Sequence, residues 1–214
     1  MACSLAMASA AHAAEEDLNF WFAQTANINA GNEVVIWLEA QERFTNDAQR
    51  LGQLLLRPAI GYKLGETTTA FVGYAYVMTN PKGPAKTNEH RAFQQLSFRF
   101  LGDGKGVTLS GRTRIEQRFL EEQSGTGLRL RQQVRLTAPL SQKVQGVVWT
   151  EPFIGLNKTA FQRDGIGLWR NFIGISAPLG KNFRLEPGYL NQYVVRTGAD
   201  RIDHTINVAI SVNY

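Results

Sequence analysis

The 214-residue chain has a single cysteine, Cys3, and three histidines, and no long apolar run lies in its body. One cysteine cannot form an intrachain disulfide or a cysteine-based metal site. The longest apolar run in the body, residues 34–38, is far shorter than the roughly 18 to 20 residues that a membrane-spanning helix needs. These absences exclude a disulfide-stapled fold and a helical membrane protein.

The charge is basic but dispersed. The chain carries 23 basic and 18 acidic residues, a formal net charge of +5, and 16 of the basic residues are arginine. Nucleic-acid-binding proteins usually gather positive charge on one face or tail, whereas these arginines alternate with apolar residues inside strand-like segments. The distribution therefore predicts no nucleic-acid partner.

The N-terminal residues resemble the end of a secretory signal. Residues 5–14 are small and apolar and include Ala11-His12-Ala13, the pattern that signal peptidase reads. A lipoprotein acylated at Cys3 is the alternative, although no lipobox precedes this cysteine. We interpret residues 1–13 as the remnant of a signal peptide.

The rest of the chain divides into a short lead and one domain. Residues 14–31 are predicted to be an N-terminal lead or a partial strand, in which Phe20-Trp21-Phe22 is interpreted as a group of interfacial aromatic residues. Residues 32–214 are predicted to form a β-barrel domain, for the reasons that follow.

Apolar and polar residues alternate from Asn32 onward in ten segments, each of the length of a tilted transmembrane strand. Short, turn-rich connections alternate with longer, more polar ones. The pattern predicts an all-β, closed antiparallel transmembrane β-barrel of ten strands with both termini at the end of the short turns, or alternatively of twelve strands. The predicted strands are 32–44, 48–63, 66–78, 88–102, 105–121, 126–138, 142–157, 160–178, 181–197 and 201–214.

An exported soluble β-sandwich would also show alternation, so alternation alone does not decide the fold. The signal-like start, the lack of long helices and the polar face on every strand favour the barrel. The last strand adds an unbroken apolar stripe that ends on an aromatic residue and resembles the assembly signal of bacterial outer-membrane barrels. Its residues are Ile206, Val208, Ile210, Val212 and Tyr214. The expected partners are outer-membrane lipid, lipopolysaccharide and the barrel-assembly machinery.

Five motifs along the chain are distinctive in combination, although none is diagnostic alone. They are Arg112-x-Arg114-x-Glu116-x-Arg118, Arg129-x-Arg131-Gln132-Gln133-x-Arg135, Glu151-Pro152-Phe153, Trp169-Arg170-Asn171 and Gly188-Tyr189-Leu190-Asn191-Gln192. Together they resemble the bacterial family catalogued as domain of unknown function 2490, over Trp21 to Tyr214. The resemblance implies a β-barrel in the bacterial outer membrane and no established activity.

The polar faces of the strands supply the candidate functional residues. Arginine pairs bidentately with carboxylates, so rows of arginine facing a few glutamates can form a fixed ladder. We predict a non-enzymatic structural protein or a narrow channel, in which the ladder fills a narrow barrel. The alternative is an anion- or sugar-selective porin that takes small anionic solutes. The predicted lumenal ladder is Glu39, Arg57, Arg91, Arg99, Arg112, Arg114, Glu116, Arg118, Arg129, Arg131, Arg135, Glu151, Arg170, Glu186 and Gln192.

An outer-membrane hydrolase or lipid-modifying enzyme is the third alternative. His90 beside Glu89 and His204 beside Asp203 lie towards the predicted extracellular ends of strands, where such enzymes place histidine with acidic or serine partners. No motif surrounds either histidine, and His204 falls on the apolar stripe. We therefore predict no catalytic residue, and the sequence predicts no metal site and no cofactor.

Basic residues also occur in the predicted outer loops. They are positioned to bridge lipopolysaccharide phosphates, although solvated charge is the ordinary role of such residues. They are Arg50, Lys82, Lys86, Lys158, Arg163 and Arg196.

Overall fold

The computed structural model describes residues 15–80 and 86–214, and every regular element in these ranges is a β-strand. The predicted signal remnant and Lys82 lie outside the described residues. Within the two ranges, no helix has the length and apolar character needed to cross a bilayer. The strands are β1 (Glu15–Asn29), β2 (Val34–Thr45), β3 (Arg50–Lys63), β4 (Thr68–Thr79), β5 (Thr87–Leu101), β6 (Thr108–Leu120), β7 (Gly127–Pro139), β8 (Gln145–Gly155), β9 (Gly165–Pro178), β10 (Phe183–Val194) and β11 (Arg201–Asn213).

The strands close into one barrel in which each strand pairs antiparallel with its neighbour in sequence. The closing pair is different, because β1 runs parallel to β11, in register from Glu15 beside Arg201 to Asn27 beside Asn213. An up-and-down barrel with an odd number of strands must contain such a pair, since its first and last strands point the same way.

The closing pair corrects the predictions of ten and of twelve strands. Both predictions required an even number of strands, so that an antiparallel pair could close the barrel. Residues 15–29, which the sequence assigned to a lead or a partial strand, instead form the full strand β1, inserted between β2 and β11. The last strand therefore pairs with β1 and not with the segment 32–44. Glu15, where β1 begins, and Tyr214, which follows β11, consequently lie at opposite ends of the barrel.

The connections differ between the two ends of the barrel. We call the end that carries Tyr214 and the connections 30–33, 64–67, 102–107, 140–144 and 179–182 the turn end. The opposite end, called the loop end, carries Glu15, the last residue of β4, the first residue of β5, and the connections 46–49, 121–126, 156–164 and 195–200. At the turn end, Gly102 has φ +85° and a Cβ there would lie 2.2 Å from the Val107 carbonyl oxygen, so the tight turn requires glycine.

Alternation gives the barrel an apolar outer face and a polar inner face. Large hydrophobic side chains stand exposed around the outside, among them Ile60, Val72, Ile173 and Ile206. The apolar stripe of β11 is part of this face, with Ile206 beside Phe20 and Val208 beside Phe22 of β1. The distribution is the reverse of that in a water-soluble domain.

The aromatic side chains of the inner face lie over glycines of neighbouring strands. A Cβ at Gly73 would lie 2.4 Å from the Phe93 ring, and one at Gly188 would lie 2.4 Å from the Phe172 ring. Glycine therefore leaves room for these rings on the inner wall of the barrel. Phe93 and Phe172 are 1% and 4% exposed, so the rings fill the lumen.

A cysteine cross-link tests the eleven-strand closure. Ala23 of β1 and Ala209 of β11 are registered partners, so Ala23→Cys with Ala209→Cys, in a Cys3→Ser background, should form a disulfide on mild oxidation. Gln41 is the registered partner of Ala23 on β2 and lies one strand further from Ala209. The control pair Gln41→Cys with Ala209→Cys should therefore stay reduced. Cross-linking of the control pair, with none between 23 and 209, would restore a ten-strand closure.

Candidate functional site

The structure places the fifteen residues of the predicted ladder along the inner face, and it joins most of them through ion pairs. Twelve of the fifteen take part in carboxylate–guanidinium contacts within 4 Å. The other three are Arg99, Arg170 and Gln192; Arg99 lines a cavity at the turn end, and Arg170 donates from Nε to the Gln192 side chain at 2.8 Å.

Two buried carboxylates hold the middle of this network. Glu116 and Glu151 are each 1% exposed. Arg131 lies between them, with Nη1 3.0 Å from Glu116 Oε1 and Nη2 2.9 Å from Glu151 Oε2. Arg129 Nε donates to Glu116 Oε2 at 2.8 Å, and Arg112 Nη2 donates to Glu151 Oε1 at 2.7 Å. A row of charge-assisted hydrogen bonds therefore links the neighbouring strands β6, β7 and β8 on the inner face.

Further pairs extend the network towards both ends. Glu39 accepts from Arg57, and Glu186 accepts from Arg135. Glu89 accepts from Arg91 at 2.7 Å and from Arg118. These carboxylates offset the cost of holding the arginines inside the barrel.

Aromatic rings complete the packing of the guanidinium groups. The Cζ of Arg131 lies 4.2 Å from the centroid of the Phe153 ring, and the Cζ of Arg114 lies 4.5 Å from that of Phe93. Arg114 is fully buried and donates to Gln95 Oε1 at 2.8 Å. The interior is therefore a packed plug of arginine, glutamate and aromatic side chains.

Sequence reasoning missed several inner residues, among them Trp21 and Arg43. The interpretation of Trp21 as an interfacial aromatic is wrong, because it points inward and is 6% exposed, while its neighbours Phe20 and Phe22 lie on the outer face. Arg43, which the predicted ladder omits, lies with its Cζ 4.1 Å from the Trp21 ring centroid. The alternation Asn19-x-Trp21-x-Ala23 and Glu39-x-Gln41-x-Arg43 could have placed both of them.

Cavities enter the barrel from both ends. The loop-end cavity has a volume of about 690 Å³, and a cavity of about 460 Å³ opens at the turn end. The two cavities share no lining residue, and Phe93, Arg114 and Glu116 of the plug are each at most 1% exposed. Nine arginines and five carboxylates line the loop-end cavity, so its wall is rich in arginine. The arginines are Arg43, Arg50, Arg57, Arg91, Arg129, Arg131, Arg170, Arg196 and Arg201, and the carboxylates are Glu15, Glu16, Asp17, Asp47 and Asp203.

The two histidines of the described chain lie on the outer face, away from this cavity. His90 contacts the Tyr74 hydroxyl and lies with Nε2 3.0 Å from Glu121 Oε1. His204 lies with Nδ1 2.6 Å from the Tyr189 hydroxyl. Among residues 15–80 and 86–214, no group of three or more histidine, cysteine, aspartate and glutamate side chains is placed to hold a metal ion.

The loop end is held in part by acidic side chains. Asp200 accepts hydrogen bonds from the Tyr193 hydroxyl and from the backbone N–H of Arg196, and these bonds lower the pKa of its carboxyl. The Arg196 guanidinium reaches Glu15 Oε2 at 2.7 Å. Of the predicted loop cations, Arg50 and Arg196 therefore line the loop-end cavity and make contacts there.

The fold and the plugged interior define a small β-barrel with an arginine- and glutamate-lined lumen. The chain belongs to the family described as "Protein of unknown function (DUF2490)", whose match covers residues 18–203. It is similar to an uncharacterized protein of Methylorubrum extorquens, with 36% identity over 205 residues that cover 93% of this chain and 89% of that protein. No solved structure matches the chain significantly.

Glu116 offers a test of the plug. Glu116→Gln should lower the free energy of unfolding by about 3 to 5 kcal/mol, because Arg129 loses its carboxylate partner and Arg131 loses one of two while both stay largely buried. Urea titration of the refolded protein measures the change. The matched control is Glu186→Gln, whose pair with Arg135 is partly exposed and should contribute less than about 1 kcal/mol. Equal losses in the two variants would contradict a buried central network.

Proposed function

We propose that the protein is an integral outer-membrane β-barrel with a closed lumen, acting as a non-enzymatic structural protein. One observation carries the proposal. The interior is charged and packed and the outer wall exposes aliphatic and aromatic side chains, which is the reverse of the arrangement in a water-soluble protein. Strands of 11 to 15 residues are long enough to span a bilayer when tilted, which takes about 9 to 11 residues. A closed barrel satisfies its backbone groups in hydrocarbon without a free edge.

Aromatic side chains support this location by their position. Tyr62, Phe183 and Tyr214 stand exposed near the turn end, and Trp169 and Tyr193 stand exposed near the loop end. Aromatic residues favour the two interfaces of a membrane, where an apolar ring meets a hydrated layer. The turn end would face the periplasm and the loop end the outside, because short periplasmic turns and longer outer loops are typical of these barrels.

The polar side chains on the outer face also fit a lipid environment, because they bond to one another. Gln117 donates to Gln94 at 3.0 Å. Trp169 Nε1 donates to the Thr150 hydroxyl at 2.7 Å, and that hydroxyl donates to Asn171 at 2.8 Å. Paired groups of this kind cost far less in hydrocarbon than unpaired ones.

The narrow channel and the anion- or sugar-selective porin are the competing functions. Cavities at both ends and an arginine-rich wall favour them, because charged walls select ions. The plug between the cavities favours the closed barrel, since each of its central side chains is packed by a partner from another strand. Conductance distinguishes these functions.

Location and conductance can be measured on one preparation. The folded protein should fractionate with the outer membrane and shift in gel mobility on boiling. In planar bilayers it should show no stepwise conductance, whereas Glu151→Gln should produce leak by removing the partner of Arg112 and Arg131. Recovery in the soluble periplasm would end the membrane proposal. Regular anion-selective steps from the unaltered protein would establish the porin instead.

Tyr214 tests assembly through the C-terminal stripe. Its side chain is 60% exposed at the turn end, while its backbone N–H donates to Asn27 O at 2.9 Å. Tyr214→Asp should reduce the amount of membrane-assembled protein, because an interfacial anchor becomes a charge. Asn213→Ser, one residue earlier on the opposite face, is the control and should assemble nearly normally. Equal losses would indicate general destabilisation, and normal assembly of Tyr214→Asp would remove the stripe as a signal.

A further inference from the structure

The floor of the loop-end cavity contains two arginines that the carboxylate network does not reach. Arg43 and Arg170 are 8% and 9% exposed, and both line the cavity. Their Cζ atoms lie 4.1 Å and 4.8 Å from the centroid of the Trp21 ring. The two guanidinium groups are thus gathered around one indole, and Trp21 is itself 6% exposed.

Amides, not carboxylates, bond these two arginines. Arg43 donates to Gln41 and Gln53, and Arg170 donates from Nε to Gln192. Among the described residues, neither arginine has a carboxylate within 4 Å. Neither guanidinium group is therefore in direct contact with a carboxylate of the described chain.

The acidic residue registered with Arg170 on the neighbouring strand is already engaged. Glu151 is its registered neighbour on β8, but the Glu151 carboxylate accepts from Arg131 and Arg112. The two terminal nitrogens of Arg170 consequently have no hydrogen-bond acceptor among the described residues. A guanidinium edge that lines a cavity with two free nitrogens matches the geometry of a bidentate oxyanion.

The indole supplies a second unpartnered polar group. Trp21 Nε1 is buried and has no hydrogen-bond partner among the residues that the structure describes. A buried donor without an acceptor is costly and is usually satisfied by a bound molecule or water. Two arginines without a contacting carboxylate and a tryptophan with an unpaired indole N–H therefore line the same cavity.

We propose that Arg43, Trp21 and Arg170 form a binding site for the phosphate group of a small molecule or of a lipid headgroup entering from the loop end. Two guanidinium groups without a contacting carboxylate favour a dianion over a monoanionic carboxylate. The cavity volume of about 690 Å³ lies within the usual range for sites of small molecules. This inference rests on the proposed function, because a ligand reaches the site from outside the cell only if the loop end of the barrel faces outward.

Titration of the refolded full-length chain in an uncharged detergent at low ionic strength tests the site. Inorganic phosphate is the first probe, acetate the second, and lipid A in mixed micelles the third. Phosphate should bind more tightly than acetate, and Arg170→Gln should weaken phosphate binding about tenfold or more in calorimetry. Arg184→Gln is the matched control, because Arg184 faces inward near the turn end and also bonds to uncharged partners, Ser176 and Gln145. The Arg184→Gln variant should bind phosphate with the same affinity as the unaltered protein.

Tryptophan fluorescence keeps the test valid if Arg170→Gln does not fold. Phosphate should change the emission of the unaltered protein, and Trp21→Phe should abolish that change while keeping the packed ring. No phosphate binding at millimolar concentration, unchanged affinity in a folded Arg170→Gln, or a fluorescence change that survives Trp21→Phe would each overturn the site. Tight binding of lipid A with weak binding of phosphate would assign the site to a headgroup, and the converse would assign it to a free solute.

The outcomes for the site and for the membrane location are separable. If the protein inserts in the membrane and its gel mobility shifts on boiling, but it does not bind phosphate, only the anion site is rejected. A protein recovered in soluble form that still binds phosphate through Arg170 rejects only the membrane proposal.

Discussion

Arg131 lies between Glu116 and Glu151 at the centre of the barrel, and the rest of the interior depends on this arrangement. Moving each of these charges out of water costs several kcal/mol, which the ion pairs and hydrogen bonds must offset. The two carboxylates do so for several arginines at once, because Glu116 accepts from Arg129 and Arg131, and Glu151 accepts from Arg112 and Arg131. Arginines that contact no carboxylate do not receive this stabilisation. Arg43 and Arg170 are of this kind and are held by amides and by the Trp21 ring.

The width of the barrel explains why the network fills it. Eight strands already give a lumen that side chains occupy, and eleven strands widen it only moderately. Arginine and aromatic side chains are long enough to meet from opposite walls, and glycines such as Gly73 and Gly188 leave space for the rings. The packed arginine, glutamate and aromatic side chains therefore make the inner face polar, hold the strands together and separate the two cavities. A structural role and a ligand pocket at one end follow more directly from this packing than conduction does.

Local alternation was enough to predict the strands from residue 32 onward and the polar identity of the inner face, because side-chain direction in a strand has a period of two. It could not supply the closing pair, which joins residues almost two hundred positions apart and follows from no local pattern. The preference for even strand numbers then misassigned β1 and, with it, Trp21. The inner aromatic residues were missed for a related reason: a hydrophobic ring on a polar face looks like an exception until its stacking partners, such as Arg131 over Phe153, are known.

The parallel closure also restricts how this chain could be rearranged. In a barrel with an even number of strands, the first and last residues meet at one end, and a short linker can join them in a circular permutant. Here Glu15 and Tyr214 lie at opposite ends, separated by the length of a strand, about 40 Å at roughly 3.3 Å per residue. A linker would have to run the length of the barrel, outside along the wall or inside through the plug. Gene duplication of hairpins adds strands in pairs, so it would leave the number of strands odd. A larger barrel of this kind would therefore still need a parallel pair between its first and last strands.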